Sequence, residues 1–158
     1  MSSTAEHPIR RLRTAAMVVA VALPVAAACA PLKSGAPPEV YARANQIRAQ
    51  HGVGPLAPCP SLAAAAQRHA NDMAARGSLG HQGSDGSWPA DRLVASGYGS
   101  GFWGEIIADR VSTADGVLGL WAGSPRHAAI LLDPAYRDVG FGYANGYWVG
   151  DFGAGGRC

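Results

Sequence analysis

The sequence predicts an α+β domain: several short helices and a small antiparallel sheet, folded as a single unit. Three observations carry this. Apolar residues recur at helical spacing in "EVYARANQIRAQHG" and in "LAAAAQRHANDMAAR". Near the C-terminus, "RDVGFGYANGYWVGDFG" is two alternating runs about Asn145-Gly146, a dipeptide that favours tight hairpins. The chain has 158 residues, 48% hydrophobic and only 15% charged, which suffices for one core and excludes a disordered chain. No internal repeat is present.

The N-terminal thirty residues read differently from the rest. "RRLRTAAMVVAVALPVAAACAP" is a basic start, an apolar stretch and then small residues, the layout of a secretory signal. Thr14 to Ala30 is too short and too alanine-rich for a membrane span, and Pro24 argues against a buried helix. Residues 1–30 are therefore expected to be a signal peptide, and the product extracellular or in the cell envelope. Two endings fit. Ala28-Cys29-Ala30 matches an A-x-A cleavage site, giving a soluble product from Pro31. "AAAC" also resembles a bacterial lipobox, in which Cys29 is lipidated, although Ala26 stands where a leucine is common. A membrane contact is expected only through that lipid.

The formal net charge of +2 comes from the leader. Without Arg10, Arg11, Arg13 and Glu6, ten basic and ten acidic residues remain. A neutral folded part has no broad grip on phosphates, so no nucleic-acid partner is expected. Of three cysteines, Cys59 and Cys158 make a natural pair in an oxidising compartment. In the chain-entropy model such a bridge contributes up to roughly 4–5 kcal/mol. Cys29 is then the odd one, lipidated, lost with the signal, or left as a thiol.

Residues 31–38, "PLKSGAPP", form a proline-rich linker, and the domain runs from 39 to 158. In the first helix Val40, Ala44 and Ile47 share a face, and Gly52 is a stop. Ser61 is expected to cap the second helix, which ends at Gly77 with Leu62, Ala65, Ala66, His69 and Met73 on one face. A glycine- and serine-rich loop follows. Ser87 or Trp88 then opens a short helix with Pro89 early in it, running to about Ser96. "GYGSGFWGEIIADR" is ambiguous: its glycines favour a loop, while Phe102, Ile106 and Ile107 ask for burial. Thr113 or Asp115 starts a helix to Trp121 or Ala122. Ser124 and Pro125 open the next, placing His127 in its first turn.

His81, Glu105 and His127 are conspicuous in apolar or glycine-rich surroundings. Two imidazoles and a carboxylate can bind a divalent metal such as zinc, with water completing the shell, and can equally do acid–base chemistry. Their spacing does not establish a shared site, and on these grounds each histidine reads as a hydrogen-bonded or exposed residue before a ligand. His69 reads as a packed, hydrogen-bonded residue and His51 as an exposed helix end. "GSPRH" is no nucleophile elbow, so Ser124 is a helix cap. Most aromatics read as core; Trp103, between Gly101 and Gly104 and near Glu105, is the candidate cleft wall.

The order of motifs resembles the CAP superfamily, which joins cysteine-rich secretory proteins, antigen 5 and plant pathogenesis-related class 1 proteins, and in particular its bacterial SCP-like branch. "YARANQIRAQHGVGPL" is similar to its opening helix and turn, and "SLAAAAQRHANDMAARGSLGH" to its second helix and following histidine. "RLVASGY" with "GEII" resembles "R-x-x-x-x-G-Y…G-E-N-I". "WAGSPRHAAILLDPAYRDVGFGYA" resembles "W-x-x-S-P-x-H-x-x-I-L-x-P-x-Y-x-x-G-G-G", and "YWVGDFG" the closing strand. The resemblance spans about Val40 to Phe152. It implies an α-β-α sandwich whose central cleft gathers His81, Glu105 and His127, with the two histidines as metal ligands. Two positions depart from the pattern. Ile106 replaces the asparagine of "G-E-N-I". Ser124 stands where many eukaryotic members have a second glutamate, which weakens any chemistry needing two carboxylates.

The expectation is an exported binding protein. Its cleft, formed by His81, Trp103, Glu105, Ser124 and His127, would hold a divalent metal, with an adjoining groove for a lipid, sterol or other small hydrophobic ligand, or for a peptide. The alternatives are a metal-dependent hydrolase with Glu105 as the catalytic base, or a structural or adhesive envelope protein.

Overall fold

The computed structural model describes residues 35–99 and 101–158. Among them are five helices: α1 (Glu39–Gln50), α2 (Pro60–Arg76), α3 (Pro89–Ala95), α4 (Ala114–Gly123) and α5 (Pro125–Leu131). Four strands, β1 (Ala57–Pro58), β2 (Phe102–Ala108), β3 (Asp138–Ala144) and β4 (Tyr147–Ala154), form one sheet in the order β1-β3-β4-β2. The expected signal peptide and Cys29 lie outside the described residues. None of the described helices is long and apolar enough to cross a membrane.

The β3–β4 hairpin closes through Asn145 and Gly146, both at positive φ (48° and 90°), the backbone a two-residue primed turn requires. The sheet is mixed rather than purely antiparallel. β1 adds two residues parallel to β3, and the prolines at 58 and 60 withhold the donors that a longer strand would need. Phe102–Ala108 of the ambiguous segment resolve as β2, which among the described residues is an edge strand paired with β4 alone. Its one glycine, Gly104, is tolerated because Ile106, Ile107 and Ala108 are buried.

Helices cover both faces of the sheet. On one, α2 and α3 bury Leu62, Ala66, Met73 and Leu93 against Trp103, Ile107 and Val149. On the other, α1, α4 and α5 bury Val40, Leu118, Trp121 and Leu131 against Phe141, Trp148 and Phe152. The two helical layers differ in how near they come. α2 lies on β3 with no side chain between them. A Cβ at Gly140 would stand 2.0 Å from the Ala63 nitrogen, and one at Gly142 2.4 Å from the Ala66 carbonyl carbon.

Polar side chains close the open edges. Beyond β1, Gln67 of α2 donates from Nε2 to the Tyr143 carbonyl at 2.8 Å and accepts the Tyr143 N–H at 3.0 Å. The Tyr41 hydroxyl accepts the Phe141 N–H at 3.3 Å. Asn45 pairs in the same way with the backbone of Leu56. Arg48, wholly buried, occupies the α1 face beside Val40 and Ala44. It donates to the carbonyls of Gly54, Leu131 and Asp133 at 2.7, 2.7 and 3.1 Å, which fixes the end of α5.

Two capping expectations are corrected. Ser61 does not cap α2; the helix starts at Pro60, and the Ser61 hydroxyl donates to the Arg157 carbonyl at 2.5 Å. Ser124 holds the N-cap position of α5 without a side-chain bond; Pro125 follows it, and the Ser124 carbonyl accepts from Ala128. Thr113 does cap α4, and Gly77 ends α2 in the left-handed conformation. Cys59 and Cys158 are joined by a disulfide, which ties the C-terminus to the start of α2.

Gly140→Ala and Gly142→Ala are each expected to destabilise the fold by about 3 kcal/mol or more, because the obstruction is helix backbone and cannot rotate away. Gly119→Ala, on the open face of α4, should be neutral or stabilise by up to about 1 kcal/mol. Urea unfolding of the three variants against wild type checks the contrast.

Candidate functional site

A buried carboxylate organises the site. Glu105 sits on β2 directly opposite Asp151 on β4, so both side chains project from the α2 face of the sheet. Both Glu105 oxygens are engaged. His81 Nδ1 lies 2.7 Å from Oε1, and Arg92 Nη2 donates to Oε2 at 2.6 Å. The Glu105 and Arg92 side chains are almost fully buried, whereas that of His81 is about half exposed.

Local structure explains each placement. α2 stops at Gly77, and the loop after it is laced back onto the helix. His69 Nε2 bonds the Gly80 carbonyl at 2.8 Å, Arg76 donates to the Gln82 carbonyl, and the Ser84 N–H donates to Asp72. These bonds fix His81, which follows Gly80. Arg92 comes from α3, whose first turn is held by the Trp88 N–H donating to Asp91 Oδ2 at 2.8 Å. Arg92 Nη1 also donates to the Ser87 carbonyl. His127 lies in the first turn of α5.

His127 Nδ1 is buried and has no hydrogen-bond partner among the described residues. Burial, and then the nearby charge of His81, hold this imidazole below its usual pKa. The two histidines therefore sense each other. No group of three or more His, Cys, Asp or Glu among the described residues is arranged to hold a metal ion. Glu105 is committed to Arg92 and His81, which leaves a two-histidine donor set.

A cavity of about 330 Å³ opens beside these groups, lined by His81, Trp88, Pro89, Trp103, Gly104, Glu105 and Ile130. Trp88 is 54% exposed and Trp103 half-buried. Ser124 caps α5 by position and is not among the residues lining this cavity. His69 is not brought to it either. With Arg68, Asp72 and Arg92 it lines a separate, smaller cavity of about 140 Å³.

Sequence reasoning passed over Arg92 and Asp151. Arg92 lies inside the quoted "RLVASGY" motif, and Asp151 is the one acid in the last alternating run; that placement was the available signal. Asp151 is wholly buried, and its carboxyl meets the Glu105 carboxylate, a hydrogen bond that only the protonated acid can donate. Burial first, and then the charge of Glu105, push its carboxyl well above the usual range.

Residues 41–152 match the family model described as the cysteine-rich secretory protein family, CAP. The chain belongs to the CAP family. It is 27% identical over 110 residues to the uncharacterized protein YkwD of Bacillus subtilis, covering 68% of this chain and 43% of that one. An extracellular SCP-domain protein from Bacillus anthracis superposes with a TM-score of 0.66 at 27% identity, over 73% of this chain and 39% of that one. This CAP chain thus spans less than half the length of these two relatives. An outer surface protein from Borrelia burgdorferi shares the fold, with a TM-score of 0.63, 21% identity, and 73% and 89% coverage. The Bacillus anthracis and Borrelia burgdorferi relatives are extracellular and outer-surface proteins respectively.

Arg92→Met leaves Glu105 buried with one partner and is expected to destabilise the CAP domain by about 3–5 kcal/mol. The Arg92→Met/Glu105→Gln double variant should lose clearly less than the sum of the singles, which a double-mutant cycle in urea would show. A pH effect follows from Asp151. Its folded pKa is raised, so the folded state keeps a proton that the unfolded chain releases above the ordinary aspartate range. Stability from this group is greatest below that range and falls as pH rises through it. Asp151→Asn, which cannot ionise, should gain on wild type as pH rises above the ordinary aspartate range. A pH-independent difference in unfolding free energy would contradict this.

Proposed function

We propose that this is an exported CAP-domain binding module whose ligand enters the cavity between Trp88 and Trp103. The observation that carries the reading is that aromatic, partly open and largely apolar cavity, with His81 and Glu105 in its lining and Glu105 fixed from behind by Arg92. Pockets of this make-up take small molecules or peptides by apolar contact and use a few fixed polar groups for orientation. Export is supported by the leader-like N-terminus and by the extracellular and surface relatives.

A divalent metal such as zinc is part of the proposal. His81 and His127 would hold it with water. His81 directs Nδ1 to a carboxylate that is itself held by Arg92, the outer-shell support usual for a metal-bound histidine. The unpartnered Nδ1 of His127 would be the second donor. The ion, when bound, would supply Lewis acidity to the ligand's polar end. Glu105 acts as a strut for His81 rather than as a base, since both of its oxygens are engaged.

Two titrations of the full-length chain test this. Anilinonaphthalene sulfonate should bind saturably, with affinity falling at least about tenfold in Trp88→Ser and unchanged in Leu120→Ser, an exposed apolar residue elsewhere. Equal effects of the two substitutions would contradict the cleft reading. Zinc calorimetry should give about one equivalent, weakened about 10–100-fold in His81→Ala and in His127→Ala. Unchanged binding in both variants would remove the metal from the proposal.

A further inference from the structure

We infer that the cleft binds an extended peptide, which adds to the free edge of β2 as a fifth strand. This deepens the cleft reading above and rests on it. The argument starts from which backbone groups of β2 point outward. On β3, the Val139 carbonyl accepts from Cys59, the Phe141 N–H goes to Tyr41, and both backbone groups of Tyr143 go to Gln67. Residues 139, 141 and 143 thus face away from β4, and the alternate residues 138, 140, 142 and 144 face it. In the observed register, 147, 149, 151 and 153 of β4 then face β3, while 148, 150, 152 and 154 face β2. On β2, residues 102, 104, 106 and 108 are spent on the ladder. Trp103, Glu105 and Ile107 carry their N–H and C=O groups to the outer edge.

An independent contact agrees. The indole of Trp121 donates to the Ile107 carbonyl at 3.3 Å, which places that carbonyl on the outside. It also closes the edge at that end. The outward groups of Trp103 and Glu105 have no such partner among the described residues. Both residues line the cavity, whose lining straddles the strand. His81, Trp88 and Trp103 come from the α2 side of the sheet and Ile130 from the α5 side. Only a cavity at a strand's own edge is lined from both faces at once.

A row of unpaired, alternating donors and acceptors is complementary to an extended backbone. A lipid tail or a sterol has no groups to answer it. The guest's side chains would alternate between the Trp88–Trp103 side and the Ile130 side, so an apolar or aromatic residue suits the first position. The free stretch is short, about two residues of outward groups, so affinity would depend on that side chain as well as on the ladder.

The test is selection of a phage-displayed random octapeptide library on the full-length chain, counter-selected on Trp88→Ser, an exposed position whose replacement leaves the core intact. A selected peptide would then be used in two measurements. Amide hydrogen exchange by NMR should slow at least about tenfold at Trp103 and Glu105, with Gly104 and Ile106 unchanged. N-methylation along the peptide should abolish binding at alternate amides and be tolerated at those between. If peptides bind without protecting these two amides, or tolerate N-methylation everywhere alike, the strand-addition inference is overturned. Failure to select any Trp88-dependent peptide, while anilinonaphthalene sulfonate still binds in a Trp88-dependent way, also overturns it but leaves the cleft reading intact. If neither the dye nor any peptide depends on Trp88, both fall.

Discussion

The fold depends on one close contact, where the backbone of α2 rests on the backbone of β3 at Gly140 and Gly142. Without side chains between them, a helix and a sheet approach nearer than their usual packing, and everything along that line is displaced sideways. Ala66 and Met73 reach past β3 to pack on Ile107 and Val149, and Leu62 packs with Leu93, Tyr98 and Trp103. His69 is drawn down until it is almost fully buried. The row Gly140–Asp151–Glu105 runs across the sheet in register, from the point of contact to the open edge. The glycine that admits the helix and the glutamate that forms the cleft wall are thus two strands apart on one line.

That geometry sets the electrostatics. A carboxylate as buried as Glu105 needs a cation, and Arg92 supplies it from α3 at 2.6 Å. Asp151 resists ionisation first because it is buried and then because a second carboxylate beside Glu105 would be repelled. A second acid does exist near Glu105, but it comes from β4, on the same face of the sheet, and does not line the cleft. Its neutral form adds no charge to the wall. The net arrangement is a rigid, nearly neutral polar patch carrying one half-exposed imidazole, better suited to orienting a ligand than to driving proton transfer.

Much of the fold was legible in the sequence because local chemistry agrees with it. Asn145-Gly146 can adopt the positive φ its hairpin needs, Gly77 ends α2 as a left-handed cap, and Thr113 caps α4. Ser61 misled because a serine near a helix start has other uses: here its hydroxyl serves the C-terminal segment that the disulfide brings in. β2 was ambiguous because its residues answer to two demands, glycine for close packing against Tyr136 and apolar side chains for the core. At the site, His81 and Glu105 stood out as polar residues in apolar surroundings. Arg92 and Asp151 did not, because their roles come from pairing across α3, β2 and β4, which no spacing along the chain encodes. Arg48 is the same case in α1: its position follows the apolar period, its identity does not, and only the carbonyls of distant residues explain it.

The treatment of strand edges gives the cleft its meaning. Sheet edges invite further pairing, and this chain closes them with individual side chains. Gln67 and Tyr41 take the backbone of β3 beyond β1, and Trp121 takes the Ile107 carbonyl of β2. Each closure uses a side chain from a helix that already packs there, so a further one at Trp103 and Glu105 would require only a suitable residue on α5 or on the loop before α3. Instead those two positions face Ile130 on one side and His81 and Trp88 on the other, around an open volume. An edge sealed at one end and left open between the Trp88–Trp103 side and Ile130 suits the extended backbone inferred for it.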